Sequence, residues 1–324
     1  MERKSILVTG ANGFLGRAIV SALAAGFVRV RATDLGPSGD DPAVDYRQAD
    51  VTRPEVWAEM MAGTDAVIHA AGLAHVFSPA AGAGGRFFRV NEDGTANVAA
   101  AAAEAGVGHF ILLSSVAVYG PSAGASRDEH APCAPSGPYA LSKYRAELRA
   151  AEIASGSGMA LSILRLATVY GDGDPGNVGR LLRAIDRGRF LWIGSGSNRK
   201  SLLHVEDAAR ACRAVALRPG AGVAVYNVSA PPATMREVVE GLARELGRSV
   251  PPFGVPASWV RGASGMLSAM PLRRLRALGA TARKWLADDV YDGRSFERAF
   301  DFQAQVTLAD GLRREVAWFR GTKK

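Results

Sequence analysis

A chain of 324 residues, 48% hydrophobic and 22% charged, has the composition of an ordinary globular protein and the length to bury a large core. Its apolar runs stop short of the roughly 20 residues that span a bilayer, and the run after the basic start is too short for a secretion signal, so a cytoplasmic protein is expected. The net charge of +8, from 39 Lys and Arg against 31 Asp and Glu, is scattered along the chain, which suits a pyrophosphate-bearing ligand and argues against nucleic acid.

The first half alternates short β-rich runs with Ala-rich segments: Ile6 to Val8, Phe14 to Ala25, Val28 to Ala32, Ala66 to His69, Asn91 to Ala105, Phe110 to Leu113, Pro138 to Ile153 and Leu161 to Leu166. Such alternation predicts βαβ units, hence an α/β, doubly wound parallel sheet of Rossmann type with helices on both faces. After Leu166 the pattern loosens around Gly171-Asp-Gly-Asp-Pro-Gly176, Gly194-Ser-Gly196 and Pro231-Pro232. Two units are expected: residues 1–166 binding a dinucleotide, and 167–324 forming a smaller α/β substrate part. Residues 201–228 read strand, helix, strand, a return to the first unit. The densest basic cluster, Pro271-Leu-Arg-Arg-Leu-Arg276, reads as a solvated helix face, with contact to an acidic membrane surface as the alternative.

The first strand runs into Thr9-Gly-Ala-Asn-Gly-Phe-Leu-Gly16. Gly10, Gly13 and Gly16 follow a strand and open a helix, where bare backbone lets a pyrophosphate approach the positive helix end. A plain tight turn is the alternative. Asp34 closes the next strand, at the distance where a carboxylate bonds adenosine ribose hydroxyls and repels a 2'-phosphate, so NAD is favoured over NADP. The same aspartate also suits a turn cap.

Tyr139 and Lys143 make the only Tyr-x-x-x-Lys in the chain, just after the helix-start signals Ser136 and Pro138. One turn apart on one face, the ammonium favours the phenolate and makes tyrosine a base for an alcohol. An exposed i,i+4 pair without chemistry is the bland alternative. Ser114 and Ser115 end an apolar strand, where open parallel sheets bind ligands, and a hydroxyl there can orient the oxygen that Tyr139 deprotonates. Cys133 and Cys212 lack metal-ligand spacing and are expected to stay reduced; the five histidines do not cluster, so no metal is expected.

These residues resemble the extended short-chain dehydrogenases/reductases, in particular the NAD-dependent nucleotide-sugar epimerase/dehydratase group similar to UDP-galactose 4-epimerase. The resemblance extends through Asp50-Val51, His69-Ala-Ala-Gly72, Asn91-Glu-Asp-Gly-Thr95, Val118-Tyr-Gly120, Pro138-Tyr-Ala-Leu-Ser-Lys143, Leu164-Arg165, Val169-Tyr-Gly171, Asn198-Arg-Lys-Ser-Leu-Leu-His-Val205 and Tyr291-Asp292. It implies catalysis by Ser115, Tyr139 and Lys143. It implies NAD contacts from Gly10, Asn12, Gly13, Phe14, Leu15, Gly16, Asp34, Asp50, Val51, Ala70, Ala71 and Gly72, and from Tyr139, Lys143 and Asn91, with Asn91 bracing the catalytic helix. It also implies a homodimer through residues 91–105 and 138–153, and a nucleotide-diphosphate sugar as substrate, held by Ser115, Asn177 and Arg199 or Lys200. Asn177 reads equally as a helix N-cap.

The dehydratases and decarboxylases of the group carry an acid directly before Val-Tyr-Gly, where this chain has Val116-Ala117. Without that acid, neither elimination nor decarboxylation has its helper. What remains is C4 epimerisation of a UDP-hexose or UDP-N-acetylhexosamine with tightly held NAD, or NAD(P)H-dependent reduction of a 4-keto sugar. A dinucleotide sensor without catalysis is the reading from another class, and the intact Ser115, Tyr139 and Lys143 speak against it.

Overall fold

The computed structural model describes residues 3–37, 41–74, 83–121, 124–218, 220–252, 254–256, 258 and 286–322. The basic cluster at Pro271 to Arg276 lies outside them.

The main sheet takes β1 (Lys4–Thr9), β2 (Val28–Asp34), β3 (Val44–Gln48), β4 (Ala66–His69), β5 (His109–Ser115), β6 (Ala160–Leu166) and, from the second half, Val223–Val228. All seven pair in parallel, and the first strand sits between the fourth and the second. This is the doubly wound arrangement, with the strand order reversing beside β1. Alternate residues of each strand feed different cores. Ile6 and Val8 of β1 pack on one face and Leu7 on the other; Ile111 and Leu113 of β5 oppose Phe110 and Leu112. Burial on both faces is why these strands read as unbroken apolar runs. The exception is β3, Val-Asp-Tyr-Arg-Gln, an edge strand whose charges hid it from the sequence pattern.

Helices α1 (Phe14–Ala24) and α7 (Val205–Leu217) cover one face; α2 (Trp57–Met61), α4 (Gly94–Glu104) and α5 (Pro138–Ser157) cover the other. Among the described residues, the remaining helices are the short α3 (Ala83–Phe87), α6 (Asn177–Asp186), α8 (Met235–Leu246), α9 (Arg294–Phe300) and α10 (Leu308–Gly321). Between α3 and α4 the chain runs through a π-helical turn, Phe88–Asp93. A third core joins α6, α8 and α10 around Phe190 and Trp192.

Short strands knit this second lobe to the sheet. Thr168–Tyr170 pairs in parallel with Leu202–His204, so residues 202–204 sit in a small sheet of their own and Val223–Val228 rejoins the main one. Arg199–Lys200 pairs with Ala233–Thr234, and Asp288 to Asp292 runs alongside as a strap. Its backbone bonds Arg199 and Ser201 on one side and Arg127 on the other.

Candidate active site

The glycine turn is shaped by close approach. Gly10 has φ +70°, and a Cβ there would lie 2.6 Å from the Ala71 backbone; one at Gly16 would lie 1.9 Å from the Gly10 carbonyl oxygen. Only glycine fits either place, and the turn so formed puts the N-terminus of α1, capped by Gly13, at the end of β1. Phe14 and Leu15 make the first turn of α1. Asp34 accepts the amide N–H of Asn12 at 2.9 Å and of Leu35 at 2.7 Å, so its carboxylate shapes the loop as well as facing it. Asn12 donates to the Pro37 carbonyl and to the Tyr46 hydroxyl. Asp50 accepts the Thr52 amide at 2.9 Å, and Val51 packs where a side chain on Gly94 would collide with it. Ala70, Ala71 and Gly72 leave the end of β4 against the glycine turn.

Behind this wall lies a chain of hydrogen bonds that sequence reading did not find. Ala71 donates to Thr9 Oγ1, which lies 2.9 Å from His69 Nδ1; His69 Nε2 lies 3.1 Å from Thr95 Oγ1, and Thr95 donates to the Asn91 carbonyl at 2.6 Å. Because Thr95 spends its only proton on Asn91, His69 donates from Nε2 and accepts at Nδ1. Complete burial pushes the His69 pKa down to about 3, helped by the charge of Lys143, so the ring is a neutral clamp. Asn91, in the π-helical turn, exchanges two bonds with the Leu73 backbone and donates to Ser142 Oγ at 2.9 Å; Ser142 donates to the Tyr139 carbonyl. The cofactor wall and the catalytic helix are thus joined by protein groups throughout.

Helix α5 starts after Gly137 with Pro138 in its first turn. Its buried face carries Ala140, Ala146, Ala150 and Ala154, small enough to bring the helix close to the sheet, together with Lys143 and Glu147. The Tyr139 phenol faces the Ser115 side chain; burial raises the phenol's pKa, and the serine works in the opposite direction. Lys143 donates its ammonium to the Leu113 carbonyl. Desolvation takes its pKa down to about 8, with Glu147 opposing. With protein groups alone, the phenol's pKa is therefore raised, whereas the Tyr-x-x-x-Lys spacing predicts it lowered. The ammonium faces the strand carbonyl, and lowering the phenol requires its charge to act on Tyr139.

The two adjacent serines have different places. Ser115 faces Tyr139 and accepts the Ala117 amide at 3.2 Å, capping the turn Val116–Tyr119. Ser114 donates to Glu147 Oε1 at 2.5 Å. Glu147 also takes Arg165 through three contacts, the shortest 2.7 Å from Nη2, and Arg165 reaches the Tyr119 hydroxyl at 3.1 Å. Tyr119 donates to Asn227 Oδ1 at 2.7 Å. The only sequence signal for Glu147 was its position one turn beyond Lys143 on the same helix face.

On the substrate side, Asn177 is exposed in the first turn of α6, and the N-cap is Gly176. Capping of that helix falls to Asp174, which accepts from Gly176 and Gly179. Lys200 pairs with Asp289 at 2.7 Å, whereas Arg199 is exposed. Cys133 and Cys212 are free thiols. Among the described residues, no helix is long and apolar enough to cross a membrane and no group of acids, histidines and cysteines is arranged to hold a metal.

The model of the NAD dependent epimerase/dehydratase family matches residues 6–229. The chain belongs to this family. The chain is 29% identical to N-acetyl-alpha-D-glucosaminyl-diphospho-ditrans,octacis-undecaprenol 4-epimerase of Escherichia coli O157:H7, over 97% of this chain and 95% of that one. It is 30% identical to ceramide reductase of Caulobacter vibrioides, over 98% and 95%. The solved structure of MoeE5 in complex with UDP-glucuronic acid and NAD superposes with a TM-score of 0.79 at 27% identity, covering 98% of this chain and 99% of the other. The protein is thus an NAD-dependent enzyme of epimerase/dehydratase type with the family's fold, and the residues around Gly10, Gly16 and Asp34 fit the dinucleotide.

Proposed function

We propose that the protein is a nucleotide-sugar C4 epimerase that retains NAD through the cycle and acts on a UDP-hexose or UDP-N-acetylhexosamine. The observation that carries the reading is the placing of Ser115, at the carboxyl end of β5, against the Tyr139 phenol, followed by the uncharged Val116-Ala117. Bound NAD supplies a hydride acceptor that, once reduced, is a donor. Tyr139 takes the proton of the C4 hydroxyl and returns it to the same oxygen. Ser115 donates to that oxygen and holds it in line. Lys143, as an ammonium, favours the phenolate over the phenol. Ala117 offers no acid, so elimination from the keto sugar lacks a proton donor there.

Arg199 is our choice for the diphosphate over Lys200, whose charge is engaged by Asp289; Asn177 approaches the same group from α6. A relative named as a 4-epimerase of a diphosphate-linked hexosamine, aligned over nearly the whole chain, supports both the C4 chemistry and the diphosphate. The family reading further proposes a cytoplasmic homodimer through α4 and α5, checked by light scattering of the eluted protein.

A second reading is reduction of a 4-keto sugar; whole-length relatives named as ceramide reductase and 2-alkyl-3-oxoalkanoate reductase support the reductive direction and not the sugar. Denaturing the purified protein and measuring released dinucleotide separates the two. Near-stoichiometric NAD is expected; a protein that comes out empty and turns over only with added NADH or NADPH would sink the epimerase. Tyr139→Phe is expected to lower turnover by about a thousandfold or more while NAD stays bound, and full activity in that variant would remove the tyrosine from its role.

A further inference from the structure

Three successive residues at the end of β5 meet three successive turns of α5. Ser115 faces Tyr139, the Leu113 carbonyl accepts from Lys143, and Ser114 donates to Glu147. The third pair is the most enclosed: Ser114 is 5% exposed, Glu147 3% and Arg165 6%. We propose that Glu147 is a positioning residue of the active site, tying α5 to β5 and β6 and presenting to Lys143 the negative charge that keeps it an ammonium. The proposal rests on reading Tyr139 and Lys143 as the catalytic pair and adds the group that governs them from behind.

Among the described residues, the groups facing Lys143 leave Glu147 as the charge that can do this. On α5 itself stand Tyr139, a neutral phenol, and Glu147. From β5 comes the Leu113 carbonyl, and from β4 comes His69, neutral near pH 7. Beyond Gly72 lies the Asn91 amide, which carries no charge. Burial alone drives Lys143 toward the free amine, and Glu147 opposes it. Glu147 in turn is faced by Ser114, by Arg165 from β6 and by the Cys133 thiol, whose pKa is raised by burial. The Arg165 guanidinium, held to Glu147 and lying 4.9 Å over the Tyr119 ring, offsets part of the carboxylate's field at Lys143.

This gives the two partners opposite effects. Removing the carboxylate with Glu147→Gln exposes Lys143 to an uncompensated arginine and favours the free amine. Removing the guanidinium with Arg165→Gln leaves Lys143 beside a bare carboxylate and favours the ammonium. A role in packing alone has no such sign.

The test is a pH titration of the NAD-loaded protein labelled with 13C at the lysine ε-carbons, whose six lysines give a tractable spectrum, with Lys143 assigned by Lys143→Arg. The Lys143 midpoint is expected to fall by about one unit or more in Glu147→Gln and to rise in Arg165→Gln, and to stay in place in Ser114→Ala, which cuts the tie without moving a charge. Either charge variant suffices if the other does not fold. An unmoved midpoint in a folded charge variant, or shifts of the same sign in both, would overturn the proposal. Neither result touches the epimerase reading, which stands or falls with Tyr139→Phe and the released NAD.

Discussion

Two glutamates lie equally deep in the molecule, at opposite ends of it in character. Glu147, 3% exposed beneath the catalytic helix, meets Ser114 and a three-contact grip from Arg165. Glu315, 2% exposed on α10 in the second lobe, has no hydrogen-bond partner for either oxygen among the described residues. Burial lifts its pKa to about 9, with Asp174 and Asp172 adding to the rise and Arg183 opposing it. Near neutral pH it is therefore a carboxylic acid. One glutamate is paired where the sheet supplies a guanidinium; the other is kept protonated by burial, with two loop carboxylates adding to the effect. The first half thus holds this buried carboxylate in an ion pair; the second lobe tolerates its buried acid by neutralising it.

Breaking the paired glutamate has the larger effect. Arg165→Met leaves the Glu147 charge buried without its partner, and urea unfolding is expected to show a loss of about 3–5 kcal/mol. A loss below about 1 kcal/mol would mean that the pair is solvated in solution.

The unpaired glutamate comes next. Its folded pKa of about 9 lies above the 4.5 of the free side chain, so the proton is held more tightly in the folded state. Its contribution is fully present below about pH 4.5 and is lost as pH rises toward 9, amounting to about 3 kcal/mol at pH 7. Glu315→Gln removes this titration. Melting curves across that window are expected to decline less steeply with pH in the variant, and a slope identical to that of the parent would show Glu315 to be ionised in the fold.

The smallest effect belongs to a carboxylate that never left water. Glu237 is exposed and closes a capping box with Thr234 at the start of α8, its pKa lowered by the backbone and hydroxyl of that residue. Thr234→Ala is expected to cost about 1 kcal/mol by thermal melting. Comparable losses for this substitution and for Arg165→Met would erase the distinction between paired burial and surface capping.

What could be read from the sequence was local. Gly10, Gly13 and Gly16 lie in one turn, and Tyr139 and Lys143 one helical turn apart, so spacing alone carries their geometry. The strands of the first half declared themselves because burial on both faces leaves few polar residues; β3 did not, because an edge strand keeps its charges. What escaped were partnerships across the fold. Arg165 was visible as a residue beside Leu164, but nothing local says that it meets Glu147, or that Asp289 meets Lys200. His69 sits in a motif shared with the cofactor wall, yet its ring serves Thr9 and Thr95 in the interior. Pairings set by a sheet's register become legible once the register is known.

The strap at Asp288 to Asp292 joins segments far apart in the chain: Asp289 bonds the Arg199 carbonyl at 2.8 Å and accepts from Ser201 at 2.7 Å, while Arg127 donates to Val290 and accepts from Asp292. Contacts that close such long loops form after local helices and hairpins in folding, since the entropy of closure comes before any return. The segment bearing Arg199, already paired with Ala233–Thr234, therefore gains its second fastening only when the last part of the chain has arrived, and a protein interrupted before residue 288 would carry its glycine turn and Tyr139 with Arg199 held on one side alone.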